Sequence, residues 1–263
     1  MKIAVLIKQV PVSNDVSVDQ ETHALVRSSS EGMINPADLN AIESAMLLKE
    51  QTEGSVTVFT MGPVEAEKAL RDAMALGCDE SCLLTDRSFA GGDTIATAKV
   101  LAEGIRKYGI FDLILCGALS SDGATGQVGA MTAEYLGIPH VAEVQGIKYE
   151  NGAECIEALK KFQDKQFRIS TKLPALMSVC FGCNEPRLAT LRSKRAAKSK
   201  PLAVYTNAEL QMDAEDIGLA GSPTIVTDSF APGHTRKAEM LTGTPQEMAE
   251  KMMRLIEREK GKN

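Results

Sequence analysis

Phe111-Asp-Leu-Ile-Leu-Cys-Gly-Ala-Leu-Ser-Ser-Asp-Gly-Ala-Thr-Gly-Gln-Val-Gly129 is the stretch that decides the fold. Phe111 to Cys116 is an apolar run of strand length, and Gly126 to Leu136 is a helical segment closed by Gly137. Between them, glycines at 117, 123, 126 and 129 bring several backbone N–H groups and a helix N-terminus to one spot, an arrangement that suits an anion. A Gly-rich turn needed only to reverse the chain is the alternative. Neither GxGxxG nor the GK[ST] of a P-loop occurs here, so the usual dinucleotide and NTPase fingerprints do not apply. Asp122 repels a phosphate if aimed at it. It is therefore expected to cap the helix or meet a ribose hydroxyl, leaving the amides of Gly123, Thr125, Gln127 and Val128 for the phosphates.

Working outward, the same strand-then-helix unit recurs. Lys2 to Gln9 is a near-continuous apolar strand, as expected when helices cover both faces of a parallel sheet. Asn35 caps a helix with Pro36 at its first position, and Gly54 ends it. Ser55 to Met61 is the next strand, followed by a helix opened by Gly62 and Pro63 and closed by Gly77. A strand at Ser81 to Thr85, a polar loop from Asp86 to Asp93 and a helix from Thr94 to Tyr108 complete the series. Such alternation implies right-handed crossovers and a doubly wound, mostly parallel α/β sheet with ligands at the carboxyl ends of its strands. Leu6 and Lys8 close the first strand, Asn35 and Pro36 begin the first helix, and Met61-Gly62-Pro63 follows the second strand, so all three meet the Gly-rich loop.

After Pro139 the period changes to two. Val144 to Glu150, the Asn151-Gly152 turn, Cys155 to Lys161 and Gln166 to Thr171 read as hairpin strands, and Leu173 to Val179 returns to the main sheet. Beyond Pro201 the chain is polar and irregular, and only Pro245 to Glu259 recovers helical periodicity. The expected organisation is a nucleotide-binding α/β domain over residues 1–200, containing the hairpin 144–171 and a loop 184–200. An arm over residues 201–263 is expected to wrap another subunit. Asn184-Glu185-Pro186-Arg187, set before the cations Arg192, Lys194, Arg195, Lys198 and Lys200, reads as an exposed docking loop, with a solvated surface loop as the alternative.

Composition narrows the function. The chain has 263 residues, 44% of them hydrophobic, enough for one large core and a small appendage. No apolar run approaches the roughly 20 residues that span a bilayer, and no signal-like cleavage pattern is present, so a cytoplasmic protein is expected. A net charge of -6, no Trp and 4% aromatics argue against nucleic acid as a partner. Of the six cysteines, Cys78, Cys82, Cys116 and Cys155 are expected to be buried and inert, and the Cys180/Cys183 pair lacks the further ligands a metal needs. His23, His140 and His234 stand apart, and no acid, base or nucleophile constellation of a hydrolase is found, nor any HExxH or GxSxG.

Several segments carry a resemblance. Met1-Lys-Ile-Ala-Val-Leu-Ile-Lys-Gln-Val-Pro11, Ile34-Asn-Pro-Ala-Asp38, Thr60-Met-Gly-Pro63, Ala75-Leu-Gly-Cys-Asp79, Cys116 to Gly129, Lys172-Leu-Pro-Ala-Leu176 and Asn184-Glu-Pro-Arg-Leu-Ala-Thr-Leu191 fall in the order and spacing of electron transfer flavoprotein β subunits, the EtfB/FixA family. The resemblance implies a HUP-like, adenine-nucleotide-binding sheet and a heterodimer with an electron transfer flavoprotein α subunit. It implies that Leu6, Asn35, Pro36, Ala37, Asp38, Met61, Gly62 and the loop Gly117, Asp122, Gly123, Ala124, Thr125, Gly126, Gln127 and Val128 hold an adenine nucleotide. It also implies that Asn184, Glu185, Pro186, Arg187, Leu188, Leu191, Lys194 and Arg195 dock a partner, a flavin-dependent acyl-CoA or other dehydrogenase or reductase.

Members of the family that simply shuttle electrons hold AMP in this subunit. Flavin-bifurcating members hold FAD there, receive hydride from NADH, and admit ferredoxin as a further partner. Thr85 to Thr97 resembles the bifurcating loop, in which positions matching Asp93, Thr94 and Thr97 face the flavin. Asp122-Gly-Ala-Thr-Gly-Gln-Val-Gly129 is similar to their Asp-Gly-Asp-Thr-Ala-Gln-Val-Gly, with a departure at Ala124. The resemblance thus points to the NADH-linked bifurcating type, with FAD and NAD(H) as cofactors. An AMP-bearing subunit and a stand-alone adenine-nucleotide-binding module are the alternatives.

Overall fold

The structure, a computed structural model, describes residues 1–12, 17–18, 25–26, 32–227 and 240–260. Met1–Thr227 forms one compact unit and Asp228–Asn263 a second.

The first unit is built on a nine-stranded sheet. Along the chain come β1 (Lys2–Leu6), β2 (Gln9–Pro11), the two-residue β3 (Ser17–Val18) and β4 (Leu25–Val26), β5 (Gly32–Ile34), α1 (Pro36–Thr52), β6 (Ser55–Met61), α2 (Glu67–Ala75), β7 (Glu80–Leu84) and α3 (Thr94–Tyr108). Then follow β8 (Leu113–Gly117), α4 (Val128–Leu136), β9 (His140–Lys148), β10 (Cys155–Phe162), β11 (Lys165–Lys172), β12 (Ala175–Val179), α5 (Leu191–Ser199), β13 (Ala203–Tyr205) and α6 (Asn207–Leu210). The sheet order is β11-β10-β9-β12-β8-β1-β6-β7-β13. From β9 through β12 to β13 every neighbouring pair is parallel, whereas β9, β10 and β11 pair antiparallel.

The apolar run of β1 is buried on both sides because its alternate residues serve two cores. Ile3 and Val5 join α1 and α2 on one face, with Ile42, Met46 and Leu70; Ala4 and Leu6 join Phe59, Val100, Leu101 and Ile105 of the α3 side. Because β6 and β7 lie to one side of β1 while β8 and β12 lie to the other, the chain reverses direction in the sheet between β1 and β8. The loops leaving those two strands therefore open a crevice at the topological switch point, where open α/β sheets bind ligands.

Four expectations of the fold are corrected. The first strand stops at Leu6, not Gln9, because Gln9–Pro11 turns away to pair with Gly32–Ile34 in a separate antiparallel ladder. The basic stretch expected to be loop contains helix α5, capped by Thr190 Oγ1, which accepts from the Ser193 amide at 3.0 Å. The sheet also continues past Pro201: β13 pairs in parallel with β7, so residues 203–205, expected in the irregular arm, close one edge of the sheet. Cys78, Cys82 and Cys116 are buried as expected, whereas Cys155 is exposed.

The second unit is described only over 240–260, where α7 (Pro245–Lys260) carries Met252, Met253, Leu255 and Ile256. No described helix is long and apolar enough to cross a membrane.

Candidate functional site

Two residues at the start of α1 organise the crevice. Asn35 was expected to cap α1, but its side chain makes no cap hydrogen bond. Instead Asn35 Nδ2 donates to Leu119 O and Asp38 Oδ1, both at 3.0 Å, and Asn35 Oδ1 accepts from the Ser121 amide at 3.1 Å. Asp38 completes the join: Oδ2 accepts from the Lys8 amide at 2.7 Å and Oδ1 from the Gly117 amide at 3.0 Å. The ends of β1 and β8 are thereby fastened to one helix terminus. Burial pushes the Asp38 carboxyl up to about 7, against the pull of hydrogen bonds from Asn35, Lys8 and Gly117. Only glycine fits at 117, since a Cβ there would lie 2.2 Å from Asp38 Oδ1 and 2.8 Å from the Ala37 side chain.

Leu6, Asn35, Ala37 and Asp38 are all buried, so their side chains support the loop from beneath. The exposed surface belongs to residues 121–127. Ala124 and Gly126 take left-handed backbone, with φ of 48° and 64°, and the Ala124 amide donates to Ser120 O at 2.9 Å. Among the described residues, the amides of Thr125, Gly126 and Gln127 have no acceptor, and they lead directly into α4. Preformed, outward-lying amides at a helix N-terminus fit a phosphate. Asp122 neither repels across an open loop nor caps α4: its Oδ1 is ion-paired to Lys8 Nζ at 2.7 Å.

Thr94 and Gln127 bring the second expected segment to this loop, with Thr94 Oγ1 donating to Gln127 Oε1 at 3.1 Å. Asp93 is otherwise engaged. Its Oδ1 caps α3, accepting from the Ile95 and Ala96 amides at 2.9 and 3.0 Å, and its Oδ2 accepts from Thr224 N and Oγ1 at 3.1 and 2.8 Å. Thr97 lies one turn into α3, its amide donating to Asp93 O at 3.0 Å. Met61 is half-buried beside the second core, and the Gly62 amide donates to Leu84 O at 3.1 Å, so the turn before Pro63 is held to β7. Sequence reasoning did not assign Ser222 or Thr224 to the site, and it placed Lys8 there without a ligand role. Lys8 is marked only by being a cation at a strand end, and the tail residues carry no local signal.

The segment after β12 is a braced ridge. Asn184 Nδ2 donates to Asn40 O and Ser44 Oγ, both at 3.0 Å, and Asn40 Nδ2 donates to Asn184 O and Oδ1 at 2.8 and 2.7 Å. Arg187 forks onto Glu43, Nε to Oε2 at 2.8 Å and Nη2 to Oε1 at 2.9 Å, while Nη1 reaches Glu50 at 2.6 Å. Hydrogen bonds from the guanidinium hold Glu43 below the usual carboxylate range. Asn184 and Arg187 thus turn inward onto α1, and what they hold outward is apolar: Leu188 is 93% exposed, Leu191 78% and Phe181 73%. Lys194 and Arg195 flank these on α5, both exposed.

The model of the electron transfer flavoprotein domain matches residues 22–210. The chain belongs to the electron transfer flavoprotein family. The electron transfer flavoprotein subunit beta of Thermoanaerobacterium thermosaccharolyticum is 40% identical over 254 residues, 96% of either chain. Subunit CarD of the caffeyl-CoA reductase–Etf complex of Acetobacterium woodii is 38% identical over 93% of both. Protein FixA of Bradyrhizobium diazoefficiens is 37% identical over 96% of this chain and 90% of its own. These likenesses place this electron transfer flavoprotein chain among the β subunits and FixA proteins. Among its described residues no cluster of His, Cys, Asp and Glu could hold a metal.

Proposed function

We propose that the chain is the β subunit of a heterodimeric electron transfer flavoprotein, that it holds FAD at the switch-point crevice and receives hydride from NADH, and that electrons leave through the α-subunit flavin by flavin-based bifurcation. The observation that carries the reading is the joining of the Thr94 turn to the Gly-rich loop through Gln127, which extends the adenine site toward the segment that bifurcating relatives aim at a flavin. FAD, when bound, supplies the redox chemistry. The chain's own residues bind and orient it: Asn35 and Asp38 fix the loop, the Thr125–Gln127 amides face its phosphates, and the α4 N-terminus adds partial positive charge.

AMP is the second reading, favoured by one feature. Asp93, which the flavin reading aims at the ligand, is committed to α3 and Thr224. Nucleotides released by acid from the purified α/β pair distinguish the two. Two FAD per pair fits bifurcation; one FAD with one AMP overturns it. With either ligand, Gly126→Asp is expected to abolish nucleotide retention, because it forces a side chain into a φ of 64° and adds a carboxylate beside the phosphates. Full nucleotide content in that variant refutes the assignment of the loop.

We assign the ridge to a dehydrogenase or reductase partner, and the arm over residues 201–263, with α7, to embracing the α subunit. Truncating both Leu188 and Leu191 to Ala is expected to weaken the partner complex by about 2 kcal/mol or more, as loss of interface anchors does. Folding should be untouched, since both side chains are exposed. Unchanged electron delivery to the partner dehydrogenase would rule out this anchor.

A further inference from the structure

Lys8 Nζ and the Gly123 amide donate to the same oxygen. Asp122 Oδ1 accepts from Lys8 Nζ at 2.7 Å and from Gly123 N at 2.8 Å. An ammonium and a loop amide closing on one anionic oxygen is the contact set a phosphate oxygen takes up in a nucleotide site. The position agrees: a Cβ at Gly123 would stand 3.8 Å from Lys8 Nζ, so the ammonium lies over the Gly-rich loop. Burial opposes the charge of Asp122, yet hydrogen bonds from Lys8 and Ser120 and the Lys8 charge hold its carboxyl below the usual range, so it is ionised at neutral pH. The Lys8 side chain is 44% exposed and that of Asp122 16%, on a loop whose residues 121–127 are all exposed, so a displaced carboxylate has only a short way to go to water.

We propose that Asp122 is an internal placeholder for a phosphate, that its carboxylate occupies the Lys8 and Gly123 donors, and that the phosphate of an adenine nucleotide displaces it, making Lys8 the residue that reads the phosphate. The inference rests on the adenine-nucleotide reading of the crevice and adds to it a competition written into the loop. A phosphate brings several oxygens to a loop that also carries the Thr125–Gln127 amides, unpaired among the described residues, whereas Asp122 offers Lys8 and Gly123 the one oxygen they share. Asp122 therefore taxes every phosphate ligand alike and taxes a ligand without phosphate not at all. It also keeps the crevice from presenting a bare ammonium to any passing anion.

The test titrates AMP and adenosine into the full chain, purified with its natural partner subunit and stripped of nucleotide, for the parent and for three variants. Asp122→Asn is expected to bind AMP about fivefold tighter, the worth of a partly exposed ion pair, with adenosine unchanged. Lys8→Gln is expected to bind AMP about tenfold more weakly and with a flatter salt dependence, again with adenosine unchanged. In the double variant the gain from Asp122→Asn should vanish, since there is no longer a cation to release. Weaker AMP binding in Asp122→Asn, or equal shifts for AMP and adenosine, overturns the placeholder and makes Asp122 a direct ligand contact, as at a ribose hydroxyl. AMP binding that none of the variants alters refutes the inference while leaving the site in place. A parent that binds neither probe refutes the site itself, and the inference with it.

Discussion

Arg187→Ala lowers the unfolding free energy by about 3 kcal/mol at neutral pH, although the residue lies in what reads as a surface loop. The cause is Glu43. Its carboxylate is nearly buried on α1 and takes both guanidinium bonds as well as the Arg187 amide at 3.0 Å. Without the guanidinium a desolvated charge is left with one backbone donor, a far worse state than the absence of both partners. Because the native pair holds the Glu43 pKa below its unfolded value of 4.5, its contribution is present above that value and is lost as the pH falls through the folded pKa. The deficit of the variant should therefore shrink in acid. Replacing Glu43 by Leu and Arg187 by Met together should restore much of the loss. Urea unfolding at pH 7 and pH 4 decides it, and a loss under about 1 kcal/mol at pH 7 shows that the pair contributes little.

Asp38 has the opposite sign. With its folded pKa raised from 3.8 to about 7, it favours folding fully below the unfolded value, and that advantage is lost as the pH rises through 7. Over the whole window the shift is worth on the order of 4 kcal/mol. Asp38→Asn cannot ionise, so the stability of this variant relative to the parent should climb by that order between pH 4 and pH 8. Its absolute stability at pH 4 should be lower than the parent's, because an amide nitrogen would face the Lys8 or Gly117 N–H. Unfolding curves of the two proteins that stay parallel across this range would show that Asp38 is ionised throughout.

What the sequence makes legible is local. An apolar run flanked by glycines reads as a buried strand, and the spacing from Gly117 to Gly129 reads as a loop that opens a helix. Three elements were not legible. α5 buries only Ala197, so its cations carry no apolar stripe to betray a helix. β13 has three residues, too few for a period of two, and exists because β7 offers it an edge. Ile7 carries the apolar run of β1 past its last paired residue, and only the pairing of Gln9–Pro11 with Gly32–Ile34 shows where the chain leaves the sheet. The side-chain partners were hidden for another reason: Asn35 meets Leu119 84 residues away, and Arg187 meets Glu43 144 residues away. Residue type marked each as notable, and separation concealed what it holds.

α1 grips the Gly-rich loop through Asn35 and Asp38 and, within its next three turns, the ridge through Asn40, Glu43, Ser44 and Glu50. One rod thus sets the geometry of two surfaces that we assign to different molecules. In a saturation scan scored separately for nucleotide content and for partner binding, changes on the buried side of this helix, at Ala41, Ile42 or Ala45, should lower both scores together. Changes in the Gly-rich loop or at Leu188 should lower only one. A lineage that acquires a new partner can therefore rewrite the outer face of the ridge freely, but has little freedom to re-aim it.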